Sequence, residues 1–377
     1  GEVVLQDSSL EYIDEPLGIR IGMAGINGRL NLEGQELTTE VRASLHDKRS
    51  GLNYGDIEAT LLLAFDPDQK MLEASWQATT KDLMLAAFQG KLPPNPFLPL
   101  TGWLDADFWG EWSGGAGHQI MGTTDLRDAL LVNDYQDMHL ERVNTRFRWR
   151  YKGKGHWNLH VADFFFDQGG TSWTTPRLSM ARNTEQDLGL WISADELPLG
   201  VPLGLARDVM SIYGTPWPAY LPSLADGEIR DLDLVLDNAW KLRLANGRFA
   251  NASVSDWAQW PDVQGLDGSV ALGRGEGVVL LRSEQLRVDW PRMFREPLGI
   301  SMPGCGVDMK WGDGWQVRFD ACSLENEDVA LEGDLLLAGN EGKPAIDANF
   351  AVTRGKVGQL DPYWPEAVMK ENIKSWL

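Results

Sequence analysis

The sequence predicts a mainly β protein, built as an extended, twisted antiparallel sheet with a few short helices. Three observations support this fold class. Apolar and polar residues alternate along many segments, which is the period of a strand with one apolar and one polar face. Gly-containing turn signals recur between such segments and favour antiparallel hairpins. Part of the sequence is also repeated, which is typical of modules stacked on their neighbours.

The alternation is clearest where charged residues occupy every second position. Between Val143 and Arg150, apolar residues hold most odd positions and three arginines hold even ones. Segments of this kind include 104–110, 143–150, 156–161, 232–236, 242–244, 307–311 and 315–319. Turn signals that we expect to separate strands are Asn27-Gly28, Asn246-Gly247, Asp267-Gly268, Asp313-Gly314 and 340–342. One face of the resulting sheet is apolar and the other polar.

The repeated stretch begins at Gly1 and again at Gly275. Each copy is an apolar segment, a polar break, an alternating segment and then the pentapeptide Glu-Pro-Leu-Gly-Ile, at Glu15–Ile19 and at Glu296–Ile300. A stacked β array of this kind makes a long surface, and long surfaces more often bind than catalyse.

Helical signals are few, and they divide the chain. Short helices are predicted near 82–89, 203–213 and 365–377, the first two followed by proline and a new strand. The apparent unit is several antiparallel strands and one short helix. We therefore predict three β modules, at 1–100, 101–225 and 226–377, the last ending in an amphipathic helix, within one continuous array.

Composition excludes several classes of function. The chain has 377 residues, a net charge of −21 and an isoelectric point near 4.6, which disfavours nucleic acid and anionic membrane surfaces as partners. No run of 18 apolar residues is present, so no transmembrane segment is predicted. The chain begins in a strand and ends in a helical pattern, so we expect it to be part of a longer protein.

Residues that could carry chemistry are explained more simply as parts of strands. His156 and His160 lie four residues apart on one strand, about 13 Å at ~3.3 Å per residue, too far to share a metal. Asp105 with Asp107, and Asp231 with Asp233, alternate with apolar residues as a solvated face does. We therefore predict no catalytic residues, no metal and no cofactor. With 17 Trp in the chain, a closed β-sandwich or barrel of a secreted carbohydrate-binding protein remains the alternative.

The two cysteines flank one predicted hairpin. A two-residue turn at Asp313-Gly314 would place Cys305 opposite Cys322 but would mix apolar and charged residues on each face. A three-residue loop, 312–314, pairs apolar with apolar residues and places the cysteines on opposite faces. We weigh the consistency of the faces above the symmetry and predict two separate, reduced thiols.

Several segments resemble a known family. They are Gly265–Leu272, Val278–Asp289, Ala225–Leu234 and the C-terminal 360–377, and they are similar to the large bacterial AsmA-like proteins of the YhdP type, which are related to TamB. The resemblance extends through most of the chain, is densest from about 190 onwards, and consists of strand-and-turn patterns without a short signature motif.

The resemblance implies a specific function. Such proteins are anchored in the inner membrane of Gram-negative bacteria and cross the periplasm as a β-sheet folded into an open groove that carries phospholipid to the outer membrane. On this basis we expect a periplasmic segment of an inner-membrane-anchored protein, with phospholipid acyl chains as ligand and with inner- and outer-membrane components reached through other parts of the protein. From the residues alone, a closed core accounts for the same alternation. The groove-lining candidates are Leu104, Phe108, Val143, Phe147, Trp149, Leu234, Leu236, Val307, Met309, Val317 and Phe319.

Overall fold

Strands dominate the structure. The computed structural model describes residues 1–14, 19–46, 53–65, 71–88, 100–114, 117–132, 137–153, 155–168, 171–200, 224–255, 261–339, 345–359 and 361–363. Of these residues, 84% belong to strands in an open antiparallel arrangement with almost no helix, so the predicted fold class is confirmed. The helices predicted at 203–213 and 365–377 lie outside the described residues.

The chain divides into two compact units, Gly1–Leu188 and Gly189–Leu377. The first unit contains β1 (Glu2–Asp14), β2 (Ile19–Glu33), β3 (Glu36–His46), β4 (Asn53–Phe65), β5 (Met71–Met84), β6 (Thr101–Ser113), β7 (Gly117–Val132), β8 (Asp137–Tyr151), β9 (His156–Gln168) and β10 (Thr171–Asn183). The second contains β11 (Leu188–Pro198), β12 (Leu224–Leu236), β13 (Leu242–Ser255), β14 (Asp262–Leu272), β15 (Glu276–Asp289), β16 (Leu298–Trp311), β17 (Trp315–Glu325), β18 (Val329–Gly339) and β19 (Ala345–Gly355). The prediction of three modules stays a prediction.

Within each unit, every strand pairs with the next strand of the chain. In the first unit the pairs run without interruption from β1–β2 to β9–β10, and in the second from β11–β12 to β18–β19. Each copy of the repeated stretch covers one strand and the start of its partner, β1 with β2 and β15 with β16. A meander of this kind needs only local connections, which suits a sequence built from repeated hairpins.

Apart from Gly200, which is α-helical, helical structure among the described residues consists of single turns of 3₁₀ helix. These turns are Leu85–Phe88, Thr184–Gln186, Val357–Gln359 and Asp361–Tyr363. The first lies within the helix predicted near 82–89, but residues 82–84 continue β5 instead. They do so because Leu83 and Met84 pair with Leu104 and Trp103 of β6, and sheet pairing outweighs the local helical pattern.

Internal β-bulges interrupt the pairing of most strands. Bulge residues in the left-handed region include Asp82 (φ 49°), Asp231 (φ 52°) and Asn251 (φ 47°). A bulge bends its strand and increases its twist, so these positions together define a crease that runs across the strands of each unit.

Three predicted turns are wrong, because each of them lies inside a strand. Asn27-Gly28, Asn246-Gly247 and Asp267-Gly268 lie inside β2, β13 and β14 and not between strands. A glycine also suits a strand where a neighbouring strand approaches closely, and at Gly268 a Cβ would lie 2.6 Å from the Phe249 ring. Of the other signals, Asp313-Gly314 does connect β16 with β17, whereas 340–342 lies outside the described residues.

The bulges are stabilised by side chains of the neighbouring strand. The backbone N–H of Asp82 donates to the Asp105 carboxylate at 2.5 Å, and that of Asn251 donates to Asp267 at 2.7 Å. The N–H of Ala321 donates in the same way to Asp334, at 2.9 Å. Each carboxylate therefore satisfies a donor that the ladder leaves unpaired at the bulge.

Burial is concentrated at the crease. The residue after the bulge position is buried in several strands: Leu83, Ala129, Ala252 and Cys322 are all at most 7% exposed. Most of these side chains are small. Small side chains permit the close approach of neighbouring backbone segments where the sheet bends.

The prediction of separate thiols is wrong, because Cys305 and Cys322 form a disulfide. The three-residue loop was correct, since Trp311 pairs with Trp315 and the apolar faces match as expected. A bulge at Ala321 (φ 50°) then inserts one extra residue into β17. This insertion turns Cys322 onto the face of Cys305, and four groove candidates pack around the bridge: Val307, Met309, Val317 and Phe319.

Removing the disulfide should weaken the second unit. The bridge closes a loop between residues 17 apart, so Cys305→Ser with Cys322→Ser should lower the free energy of unfolding by about 3 kcal/mol. Chemical denaturation measures the change, and thiol titration of the denatured, unreduced parent serves as the control. Two titratable thiols in that parent would contradict the assignment.

The turn between β12 and β13 should make the stability of the second unit depend on pH. Hydrogen bonds from the backbone N–H of Lys241 and then Ala239, with Arg274 nearby, hold the pKa of the buried Asp237 below its ordinary value, against the effect of desolvation. The ionised Asp237 side chain therefore contributes fully to stability above its unfolded-state pKa of about 3.9. This contribution is lost as the pH falls through its lower folded-state pKa. Asp237→Asn, which keeps an acceptor, should reduce the loss of stability below about pH 4 in acid titrations followed by circular dichroism. An unchanged acid profile would count against this role.

Candidate functional site

The candidate site is the face of each unit that carries the groove candidates, here called the inner face. In the first unit, register places all five candidates on it. They belong to rows of residues that face one another across neighbouring strands. Three such rows are Leu104–Leu126–Val143–Phe166–Trp173, Phe108–Gly122–Phe147–Val161–Leu178 and Gly110–Ile120–Trp149–Leu159–Met180. Antiparallel partners share a face, so each row is continuous across five strands.

The centre of this surface is an aromatic pair that spans a glycine. Phe108 and Phe147 lie on β6 and β8, on either side of Gly122 in β7. Their ring centroids are 6.0 Å apart, within the range of favourable aromatic contacts. A Cβ at Gly122 would lie 2.7 Å from the Phe108 ring, so the absence of a side chain allows the two rings to approach.

The second unit places its six candidates on one face in the same way. Leu234 and Leu236 lie on β12, and the other four lie on β16 and β17. Leu236 pairs with Leu190 and Leu242. Two rows connect the other five candidates with their neighbours: Ile192–Leu234–Ala245–Leu272–Gly277–Met309–Val317–Leu337–Ile346 and Gly247–Val270–Val279–Val307–Phe319–Leu335–Ala348. The inner face of this unit is therefore also a continuous apolar surface.

Neither inner face is buried as a closed core would be. Of the eleven candidates, Val307 is buried at 6% exposure and the others are half-buried. Each strand contacts mainly its neighbours in the sheet. Within the described ranges, the 3₁₀ helix Leu85–Phe88 is the element outside the strands that packs against the sheet, and it contacts β4 and β6. No second layer covers either inner face in the described part of the chain, whereas a sandwich would place another sheet about 10 Å away.

Several inner-face glycines lie beneath large side chains of neighbouring strands. A Cβ at Gly110 would lie 2.2 Å from the Trp76 ring, and one at Gly339 would lie 2.9 Å from the Trp315 ring. Because these positions carry no side chain, the indole rings lie against the sheet and do not project from it.

The sequence-based candidate set was incomplete. Residues that complete the rows but were not among the candidates include Ile120, Leu126, Leu159, Val161, Phe166, Leu178, Met180, Val279, Leu335 and Leu337. Alternation already marked some of them as apolar. Assigning them to the same face requires the strand register, which the bulges change by one residue at unmarked positions.

The outer face is polar, and ion pairs cross its strands. Arg142 holds the Asp125 carboxylate through two nitrogens, both at 2.9 Å, and Arg127 contacts Asp82 and Asp105 at 3.0 and 2.8 Å. The hydrogen bond to Asp82, followed by the charge of Asp105, raises the pKa of the Arg127 guanidinium. These pairs are largely exposed, so each contributes little to stability but keeps the outer face solvated.

The residues considered for catalysis have structural partners. Asp107 accepts from Thr79 Oγ1 at 2.8 Å, Asp233 accepts from Trp191 Nε1 at 2.5 Å, and Asp231 pairs with Arg248. His160 Nδ1 lies 3.0 Å from Ser179 Oγ. Within the described ranges, no three His, Cys, Asp or Glu side chains are grouped as metal ligands would be. These contacts are those of the polar face of a sheet.

Comparison with protein families identifies the chain. The family model described as YhdP protein matches residues 3–377. The chain belongs to the YhdP family. This family is a branch of the AsmA-like lipid transport proteins, and its members are not known as enzymes. No curated protein and no solved structure matches the chain.

Among the described residues of this YhdP-family chain, no helix has both the length and the apolar character needed to cross a bilayer.

The glycine beneath Trp76 provides a direct test of the inner-face packing. Gly110→Ala should lift the indole ring from the sheet and destabilise the first unit by about 1–3 kcal/mol, because the new Cβ and the ring cannot occupy the same space. The matched control is Gly114→Ala, directly after the end of β6. A Cβ there would lie 3.9 Å from its nearest neighbour, so this change should be nearly neutral. Thermal melting compares the two, and equal effects would contradict the packing described here.

Proposed function

We propose that the chain carries phospholipid along its inner faces, in the periplasm, between the inner and the outer membrane. The observation that carries this proposal is the state of the inner faces, which are continuous, apolar and half-buried, with no described layer above them. An apolar surface of this size on a folded protein is typical of a binding site. Membership of a lipid transport family supports acyl chains as the ligand of this surface.

The energetics favour a ligand that slides. Each methylene removed from water is stabilised by about 0.8 kcal/mol, so a surface of Leu, Val, Phe and Trp side chains holds an acyl chain without specific bonds. The rows repeat similar side chains from strand to strand, and neighbouring positions therefore bind similarly. Movement from one row position to the next requires no covalent step, which is consistent with a non-catalytic role.

The disulfide supports the proposed compartment. Disulfides persist in the bacterial periplasm and are rare in the cytosol. The Cys305–Cys322 bridge lies at the crease of the second unit, where it fixes the bulge that aligns the surrounding apolar residues. We further propose that the membranes at either end are reached through other parts of a longer, inner-membrane-anchored protein.

The carbohydrate-binding alternative has less support. It needs a closed core beneath an exposed aromatic platform, and the described part of the chain shows open sheets. Most Trp rings named above lie on inner faces among apolar neighbours, where they suit acyl chains better than sugars.

A charge on the inner face should abolish lipid binding and leave the fold intact. Phe147→Asp places a carboxylate in the acyl path, at a cost of several kcal/mol to a bound chain, whereas the open sheet can turn it toward water. Native mass spectrometry of the gently purified chain should detect phospholipid in the parent and at least tenfold less in the variant. Met309→Asp tests the second unit in the same way.

The controls place the same charge on the outer face. Met121→Asp faces Arg148 on the outer face of the first unit, and Leu280→Asp, opposite Ser269 and Gly306, is the outer-face control in the second unit. Both should retain lipid, and photo-crosslinkers at Phe108 should capture lipid only in chains that bind it. A parent without lipid or crosslinks, together with loss of the fold in Phe147→Asp, would favour a closed core and refute the proposal.

A further inference from the structure

The inner face of the second unit ends in two indoles at the β16–β17 turn. Trp311 and Trp315 face each other there, and alternation along β16 and β17 places both on the inner face. They are here called the rim pair. Gly339 pairs with Trp315, and the Gly275 carbonyl accepts from the backbone N–H of Trp311 at 2.9 Å. Because glycines occupy both of these neighbouring positions, the indoles stay 41% and 42% exposed.

The rim pair adds hydrogen-bond donors to a surface that otherwise lacks them at this place. The next row inward runs through Met309, Val317 and Leu337, none of which has a side-chain donor. Each indole combines an apolar ring with one N–H group, a combination favoured at the boundary between hydrocarbon and water. Among the described residues, no group accepts a hydrogen bond from the Nε1 atoms of Trp311 and Trp315.

The sequence repeat provides an internal comparison for this turn. The first copy covers β1 and the start of β2, and the second covers β15 and the start of β16. The turn after β2 therefore corresponds to the turn after β16. Its last inner-face pair is Leu32 with Leu37. Two leucines close this hairpin, so the tryptophans of the second unit are not needed for closure alone.

Another turn of the same rim also presents an exposed indole. Trp240, between β12 and β13, is 59% exposed and has a left-handed backbone with φ 60°. This conformation is unfavourable for a bulky residue. The buried Asp237 carboxylate fixes the turn by accepting the N–H groups of Ala239 and Lys241, and it binds Arg274 of the β14–β15 turn at 3.1 Å. An exposed side chain held at a backbone cost is typical of functional positions.

The distances suit a glycerolipid. Val307 packs beside the disulfide at the crease, and four residues separate it from Trp311. This separation is about 13 Å along the strand at ~3.3 Å per residue. The hydrocarbon of one lipid leaflet is about 15 Å thick, half that of a bilayer. An acyl chain that extends along the strands from the crease therefore brings its ester carbonyl close to the rim pair.

We propose that the rim pair binds the ester carbonyls of glycerolipids held on the inner face of the second unit. This inference rests on the proposed lipid-carrying function and adds the chemical group that this rim recognises. The indole rings contact the first methylenes of the acyl chains, and the Nε1 hydrogens of Trp311 and Trp315 are donated to the carbonyl oxygens. The head group stays in water beyond the rim, so the site selects the ester linkage and not the head.

The experiment compares two phosphatidylcholines that differ only in the linkage of their chains, one a diester and the other a diether. The 377-residue chain carries a photo-crosslinker at Leu337, in the row next to the rim pair, and is incubated with mixed micelles of both lipids. Mass spectrometry of the intact chain then counts each captured lipid. The parent should capture the diester about tenfold more often, because the diether lacks the two carbonyl acceptors.

The variants separate the N–H groups from the rings that carry them. Trp311→Phe with Trp315→Phe keeps two aromatic rings but removes both donors, so it should capture the two lipids equally while total capture is retained. Each single change should reduce the preference about threefold, which provides a test if the double variant does not fold. The control is Trp109→Phe, whose indole is 41% exposed on the outer face of the first unit and which should leave the preference unchanged.

The outcomes distinguish this inference from the proposed function. Equal capture of both lipids by the parent, or loss of the preference in Trp109→Phe, overturns the ester site but leaves lipid carriage intact. A folded double variant that keeps the preference overturns it as well, since the indole N–H groups would then have no part in it. Capture of neither lipid by the parent refutes the proposed function itself. Melting curves of all variants verify that the fold is retained.

Discussion

The structure depends on one geometric constraint, that a strand presents alternate residues to opposite faces. In an antiparallel meander, the partners of an inward residue must also point inward, so a surface such as Phe108–Gly122–Phe147 exists only while register is kept from strand to strand. A slip of one residue would exchange Phe147 for Arg146 or Arg148. Ion pairs on the outer face, such as Arg142 with Asp125, oppose that slip because they match only in the native register.

Bulges satisfy the same constraint while bending the sheet. Each adds a residue to one strand and would reverse its faces beyond that point, yet the apolar surface continues because the sequence pattern changes phase at the same position. Asp82 and Asn251 show how the local cost is offset, since carboxylates of the next strand accept the N–H groups that the ladder leaves unpaired. The bend and the open apolar surface are therefore consequences of the same residues, and the proposed lipid path follows from both.

Function in such a molecule is distributed. The aspartates considered for catalysis, such as Asp107 and Asp233, have structural partners, and half-buried apolar residues recur along each unit. A ligand held by many weak, similar contacts can move, whereas one held by a single strong site cannot.

The sequence by itself determined the strands, the apolar and polar faces and the family resemblance, because alternation such as that of Val143, Phe147 and Trp149 is a local property. Only the tertiary structure decided where the strands turn and where they bulge, since Asx-Gly pairs such as Asn246-Gly247 and Asp267-Gly268 suit a turn and yet lie inside strands here. The bonding of the cysteines also depended on a bulge. The three-residue loop was predicted correctly and by itself would place Cys305 and Cys322 on opposite faces, but the extra residue at Ala321 in β17 brings them onto one face. Sheet pairing likewise overrode the helical pattern at Leu83, because a strand partner provides more hydrogen bonds and burial there than one helical turn could.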